Sequence, residues 1–77
     1  MATTSTYAEP TVMWRLRHKD GRAASAVIAP QGVKAYAGWF ILGRLEEARH
    51  CDTWHDAITW IEQVRLRLTS SGWRPRR

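Results

Sequence analysis

Apolar and polar residues alternate in the first third of the chain, which is the pattern of strands with one buried face. Residues 11–18 predict a first strand with two opposed sets of side chains: Val12, Trp14 and Leu16 against Met13, Arg15 and Arg17. Lys19-Asp20-Gly21-Arg22 follows, and Asp-Gly is a strong hairpin signal because both central residues must take a positive φ. Ala23–Ala29 is therefore the predicted returning strand.

A second hairpin is predicted downstream. Pro30-Gln31-Gly32 breaks the strand pattern, and Tyr36–Leu42 predicts a third strand. Four consecutive apolar residues, Trp39–Leu42, indicate that both faces of this strand are covered. Gly43–Glu46 predicts the next turn. Glu47–Cys51 then predicts a short polar fourth strand at a sheet edge, where charged side chains discourage pairing with other chains.

Helical spacing begins after residue 52. Thr53 and Asp56 predict a capping box with Asp in place of the usual Glu, and Asp52 is the alternative cap. One apolar stripe follows at helical spacing: Trp54, Ala57, Ile58, Ile61, Val64 and Leu68. Gly72 suits the left-handed residue that ends a helix, and Trp73 can fold back on the last turn.

Together these elements predict an α+β fold. We expect a three- to four-stranded antiparallel sheet of two hairpins, with one C-terminal α-helix packed on one face. Residues 11–73 are the predicted single ββββα domain, residues 1–10 a disordered N-terminal tail and residues 74–77 a basic C-terminal tail. Because only one helix is predicted, the opposite face of the sheet is expected to stay open.

Length and composition limit the class of protein. Seventy-seven residues make one domain, and a domain this small buries only about 60% of its unfolded surface. The single cysteine, Cys51, excludes an internal disulfide and fits a reducing compartment. The longest apolar run, Ala35–Leu42, is far shorter than the ~20 residues of a membrane helix, and the N-terminus lacks the pattern of a signal peptide. We therefore expect a cytoplasmic protein that does not bind membranes.

The net positive charge of the chain indicates what kind of partner it binds. The formal net charge is +5, and the basic residues are ten arginines and two lysines. A basic balance favours acidic partners, and guanidinium groups form bidentate bonds with carboxylate and phosphate. The alternative interpretation is that GC-rich coding DNA supplies the many Arg and Ala residues without a functional reason.

Side chains of the metal-ligand type cluster before and within the first helical turn: His50, Cys51, Asp52, His55 and Asp56. A tetrahedral metal site needs four placed ligands, and the spacing here supplies three at best. Cys51 with His55 could form a thiol nucleophile near a helix N-terminus, but no orienting group or oxyanion donor accompanies the pair. We expect a polar connection with a buried cysteine, and no catalytic residue, metal, cofactor or small-molecule substrate.

The open face of the sheet carries the candidate binding residues. Arg15 and Arg17 lie on the side of the first strand away from Leu16, and an aromatic residue of the third strand, Trp39 or Phe40, is expected beside them. Arginine with aromatic residues is typical of protein-binding hot spots. The same combination also forms platforms on which nucleic-acid bases stack.

The function that these features predict is a non-enzymatic protein-interaction module that binds a partner or a second copy of itself. Trp39 or Phe40 would anchor the contact, and Arg15 and Arg17 would pair with carboxylates. In size the chain resembles small proteins of phages, plasmids and gene cassettes, which implies an accessory or inhibitor protein of a mobile element. The alternative is a DNA- or RNA-binding protein that uses the same face together with the basic tail, Arg74, Arg76 and Arg77.

The order of sheet and helix loosely resembles the three-stranded DNA-binding domains of integrase arms and plant AP2 factors. The comparable residues are Gly38-Trp39-Phe40 through Arg44, then Cys51-Asp52-Thr53 and Ala57. In those families a strand leads through an F-x-T-like junction into a helix that contains Ala. Cys51 stands here in place of the aromatic residue, and Glu46 and Glu47 stand where basic contacts are expected. The departures argue against DNA binding by that mode.

Overall fold

A computed structural model describes residues 10–75 of the chain as one five-stranded sheet with one helix. The elements in chain order are β1 Thr11–Arg17, β2 Ala23–Gln31, β3 Lys34–Ile41, β4 Arg44–Cys51, α1 Trp54–Ser70 and β5 Arg74–Pro75. The sheet is antiparallel in the order β4-β3-β2-β1-β5, and α1 packs on one of its faces. The α+β architecture predicted from the sequence is confirmed, with five strands instead of three or four.

The first hairpin joins β1 to β2 as predicted, but not through a two-residue Asp20-Gly21 turn. Gly21 has a φ of 96° whereas Asp20 has no positive φ, and the His18 N–H donates to the Arg22 carbonyl at 2.9 Å across a three-residue loop. Strand β2 continues two residues further than expected. Pro30 and Gln31 belong to the strand, and the turn to β3 contains only Gly32 and Val33. Pro30 is tolerated because β1 pairs with β2 only as far as Ile28, so β2 beyond that point has a free side where an N–H is not needed. The predicted break at residues 30–32 was therefore placed too early.

The strand β4 begins at Arg44, three residues before the predicted start. The turn from β3 uses only Leu42 and Gly43, whose φ angles of 53° and 77° are both positive, as a two-residue type I′ turn requires. The pairing of β3 with β4 shifts by one residue at Trp39/Phe40. This β-bulge interrupts the alternation of side chains and explains why β4 shows no regular apolar pattern. Its edge position agrees with the prediction.

The core lies between the sheet and α1. The sheet contributes Trp14, Leu16, Ala24, Ala26, Ile28, Ala35, Ala37, Trp39 and Cys51, and the helix and its C-terminal extension contribute Ala57, Ile61, Val64, Leu68 and Trp73. Four alanines on the central strands β2 and β3 leave room for the helix to approach the sheet closely. The Trp14 indole donates a buried hydrogen bond to the carbonyl of Ile61 at 3.2 Å, which ties β1 to the middle of α1.

Both ends of α1 follow the sequence prediction. The Thr53 hydroxyl accepts a hydrogen bond from the backbone N–H of Asp56 at 3.0 Å, which identifies Thr53 as the N-cap. Gly72 has a φ of 97°, and the N–H of Trp73 donates to the carbonyl of Leu68 at 3.2 Å. Trp54 differs from the prediction, because it is 37% exposed instead of contributing to the buried stripe.

The C-terminal residues continue differently from the predicted tail. After the helix cap, Arg74 and Pro75 turn back to pair with Arg17 and Leu16 and form β5. The predicted N-terminal tail, apart from Pro10, lies outside the described residues, as do Arg76 and Arg77. Within residues 10–75, α1 is not long and apolar enough to cross a membrane.

Candidate binding surface

The register of the strands defines which residues lie on the face opposite α1, which we call the open face. Paired residues of neighbouring strands share a face, and faces alternate along a strand. The open face comprises Val12, Arg15, Arg17, Ala23, Ser25, Val27, Ala29, Gln31, Lys34, Tyr36, Gly38, Phe40, Leu45, Ala48, His50 and Arg74. No helix of residues 10–75 packs on this face.

The two aromatic candidates of β3 lie on opposite faces. Phe40 pairs with Ser25 on the open face, in the same cross-strand row as Arg15. Trp39 pairs with Ala26 on the other face and is buried beneath α1. The expectation that Trp39 could anchor a partner on the open face is therefore corrected. The small side chain of Ala26 leaves space that the indole fills.

Trp39 also has its own polar partners within the domain. Its indole N–H donates to Glu47 Oε1 at 3.0 Å, and Arg67 of α1 donates to the same oxygen at 3.0 Å. The bond from Trp39, and then that from Arg67, hold the pKa of Glu47 below its usual value. This carboxylate joins β3, β4 and α1, which gives Trp39 a structural role.

An apolar band crosses the centre of the open face. One row across β1 to β4 contains Val12, Val27, Gly38 and Ala48, and the next contains Arg15, Ser25, Phe40 and Leu45. Val12 is 44% exposed and Leu45 is 49% exposed. A Cβ atom on Gly38 would lie 3.2 Å from Leu45 Cδ1, so the glycine makes room for the leucine to lie across the strand. The band thus presents aliphatic and aromatic surface to solvent.

The charged residues that the register assigns to the open face are arginines and a lysine. Glu46 is the bulged residue of β4, and the register assigns it to neither face. Arg15 and Arg17 lie along β1, and Arg74 of β5 stands directly opposite Arg17. Within residues 10–75 the register assigns no Asp or Glu to this face, and no salt bridge involves Arg15, Arg17 or Arg74. The face is an apolar band with arginines along one side.

The residues of the metal-ligand type near the start of α1 do not all lie on the same face of the sheet. His50 lies on the open face, where its ring contacts Tyr36 at a centroid distance of 4.5 Å, whereas Cys51 is buried on the other face. Burial raises the pKa of the Cys51 thiol, the opposite of what a thiolate nucleophile needs. Among residues 10–75 no group of three potential ligands is close enough to hold a metal ion.

Sequence reasoning missed part of the open face. Tyr36 and Leu45 were not candidates. Tyr36 could have been found, because alternate residues of a strand share a face and Phe40, Gly38 and Tyr36 follow one another at spacings of two along β3. Leu45 was hidden because the predicted turn included it. Arg74 was assigned to a tail, and only the pairing with β1 places it beside Arg17.

Comparisons with family models, with curated proteins and with solved structures found no match.

Proposed function

We propose that this chain is a non-enzymatic protein-interaction module that binds a partner protein through the open face of its sheet. The observation that carries the proposal is the apolar band of the open face, which is bordered by arginines and has no carboxylate among the residues that the register assigns to this face. An apolar centre with aromatic residues and arginine is the usual composition of the core of a protein contact. Phe40 is the proposed anchor, and Arg15 and Arg17 are its charged neighbours.

The charge of the face favours an acidic partner over a second copy of the chain. If two copies met through this face, the arginines of each would meet no carboxylate that the register assigns to the face. Charges that are buried without partners destabilise an interface by several kcal/mol. The homodimer expected from the sequence is therefore the less favoured form of the proposal. A heterologous protein with Asp or Glu around an apolar patch is the favoured one.

The cellular compartment and the biological role of the protein rest on fewer observations. We propose that the protein acts in the cytoplasm, as the lone buried cysteine would suit. Its role as an accessory or inhibitor protein of a mobile element rests on its size. Phage, plasmid or cassette genes beside its own gene would support that role, and a location among housekeeping genes would contradict it.

A display selection of random peptides against the immobilised protein tests the proposal, because it finds binders whatever the natural partner is. We expect the selected peptides to combine Asp or Glu with apolar residues. They should shift the amide resonances of the open face in NMR spectra. Phe40→Ser and the double change Arg15→Ala/Arg17→Ala should each weaken binding at least about tenfold, since hot-spot residues contribute about 2 kcal/mol or more.

Leu66→Ser is the matched control for loss of an apolar side chain, because Leu66 is exposed on α1, far from the open face. Arg44→Ala is the matched control for charge, since Arg44 pairs with Ile41 on the helix side of β4. Both control variants should bind the selected peptides as the wild type does. Equal losses in the control and open-face variants, or peptides that map to α1, would contradict the proposal.

Nucleic-acid binding is the second candidate, and one observation favours it. The pairing of β5 with β1 aligns Arg74 with Arg17 and Arg15 along one edge of the open face, which gives a strip of cations. A mobility-shift assay with mixed DNA and RNA at about 50 mM salt tests it, because phosphate contacts weaken steeply as salt rises. Salt-dependent binding lost in Arg15→Ala/Arg17→Ala would favour this function over the protein-binding one.

A further inference from the structure

A pocket at the end of β1, at the edge of the open face, is lined by positively charged side chains. Its volume is about 350 Å³, and it is lined by Arg17, His18, Lys19, Gly21, Arg74 and Pro75. Three of these six residues are cations, and none is an acid. The pocket forms where the first hairpin and the C-terminal strand β5 come together.

Two of the cations are held against each other by the sheet. Arg17 and Arg74 are directly opposed residues of β1 and β5. Like charges in directly opposed positions disfavour strand pairing, and an anion bound between the two side chains would offset that repulsion. Lys19 follows two residues later on the same hairpin and adds a third positive charge at the pocket wall.

The nearest carboxylate does not neutralise these charges. Asp20 accepts from Arg22 Nε at 2.8 Å and from the Arg22 backbone N–H at 3.0 Å, and it lies 3.2 Å from His18 Nδ1. The backbone hydrogen bond from Arg22 is the main cause of its lowered pKa. Within residues 10–75, Arg17, Lys19 and Arg74 take part in no salt bridge.

The wall that carries Arg74 is fixed in place. Trp73 is buried, its ring meets His18 edge-on at 5.2 Å, and the Arg22 guanidinium lies 5.2 Å from its centre. The N–H of Trp73 also donates to Leu68 in the helix cap. The backbone of Arg74 is therefore anchored on one side by the helix and on the other by β1. A pocket anchored in this way orders little further when it binds a ligand.

We propose that this pocket is an oxyanion site that takes a phosphate group of the phosphomonoester class. Guanidinium forks bind phosphate oxygens in a bidentate way, and lysine adds a point charge. Three cations match a dianion better than they match a carboxylate, which carries one negative charge. The site shares Arg17 with the proposed protein contact, whereas Lys19 and Arg74 line the pocket and are not part of that contact. Arg74→Ala therefore tests the pocket without changing Phe40, Arg15 or Arg17.

An NMR titration with inorganic phosphate at constant ionic strength tests the site directly. We expect saturable shifts of the amides of residues 17–21 and 73–74, and much smaller shifts with acetate at the same concentration. Arg17→Ala and Arg74→Ala should each weaken phosphate binding about tenfold, equivalent to about 1.4 kcal/mol, because each change removes charge-assisted hydrogen bonds to the anion. Arg44→Ala, on the opposite edge strand β4, should leave the affinity unchanged.

Several outcomes would overturn the inference. One is a titration in which acetate and phosphate act alike, which would indicate simple charge screening. Another is equal phosphate affinity in Arg17→Ala, Arg74→Ala and Arg44→Ala. A short oligonucleotide without a terminal phosphate that binds the pocket where inorganic phosphate does not would replace the phosphomonoester class by phosphodiesters. Thermal unfolding of each variant shows whether its fold is intact.

Discussion

Leu42 adopts the left-handed backbone region, which is unfavourable for most residues other than glycine. It is the only residue other than glycine with a positive φ in residues 10–75, at 53°, and it is 70% exposed in the β3–β4 turn. The left-handed region is unfavourable by about 1–2 kcal/mol for most L-residues. Asn tolerates it, and Asn-Gly is the preferred pair for a type I′ turn.

Leu42→Asn is therefore expected to raise the free energy of unfolding by about 1 kcal/mol, measured by chemical denaturation. Val33→Asn is the control, since Val33 is also an exposed residue of a two-residue turn but its φ is not positive. That change should stay within about 0.5 kcal/mol of the wild type. If both variants gained equally, removal of exposed apolar surface would explain the effect, and backbone strain would not.

Single residues also show where sequence reasoning reaches its limit. The run Trp39–Leu42 is apolar at every position, so periodicity could not decide whether Trp39 or Phe40 points toward the helix. The pairing of Trp39 with Ala26 and of Phe40 with Ser25 decides it. The alternating alanines of β2 were visible in the sequence. The strand register that places the Trp39 indole beside Ala26 was not.

The docking of α1 on the sheet depends on its buried stripe. Ile61 is fully buried against the sheet, and its carbonyl accepts the bond from Trp14. Ile61→Ala should lower the free energy of unfolding by about 2–5 kcal/mol, through lost burial and the cavity that remains. Leu66→Ala, on the exposed side of the same helix, should change it by less than about 0.5 kcal/mol. Similar losses in the two variants in urea denaturation would contradict the packing described.

The carboxylate of Glu47 gives this packing a pH dependence. The Trp39 bond, followed by the Arg67 bond, lowers its pKa from an ordinary value of 4.5. A group with a lowered folded pKa stabilises the fold above its unfolded pKa, and that contribution is lost as the pH falls through the folded value. Since Glu47 is half exposed, its contribution is small, about 0.5 kcal/mol or less.

Glu47→Gln should lower stability slightly at neutral pH and make the loss of stability below about pH 4.5 less steep, as followed by melting temperature. Glu46→Gln is the control, because Glu46 forms no ion pair within residues 10–75. It should keep the pH profile of the wild type. The idea fails if the two variants show the same profile.

At the element scale, the sequence was most informative where local chemistry decides the structure. The caps at Thr53 and Gly72 depend on neighbouring residues, and both form as predicted. The hairpin between β1 and β2 also forms, although Gly21 alone of the Asp20-Gly21 pair takes a positive φ. The length of β4 and the existence of β5 depend on pairing with distant strands. A two-residue segment such as Arg74-Pro75 has no periodicity to detect, so only the register with β1 reveals it.

For the whole molecule, the charge of the open face predicts a monomer. Face-to-face pairing of two copies would bring together the arginines of this face, and no carboxylate that the register assigns to the face would oppose them. Light scattering after size-exclusion chromatography should give the mass of one chain, 8.9 kDa, at low salt. A stable dimer that Phe40→Ser dissociates would contradict this prediction and restore the homodimer hypothesis.

The one-sided arrangement of the whole molecule was predictable from the sequence, because one helix covers one face of a sheet. Its electrostatic character was not, since the positions of Arg74 and Glu47 depend on register. Those two positions place an arginine on the open face and an acid beside the core.

The most direct test of the account is solvent accessibility of methyl groups, measured by NMR with a soluble paramagnetic agent. Val12 and Leu45 represent the open face, and Ile28 and Ile61 represent the core between the sheet and α1. The account predicts strong broadening of the Val12 and Leu45 methyl signals and little broadening of the two isoleucines. Protection of Val12 and Leu45 equal to that of the isoleucines, in a monomeric sample, would show that the face is already covered.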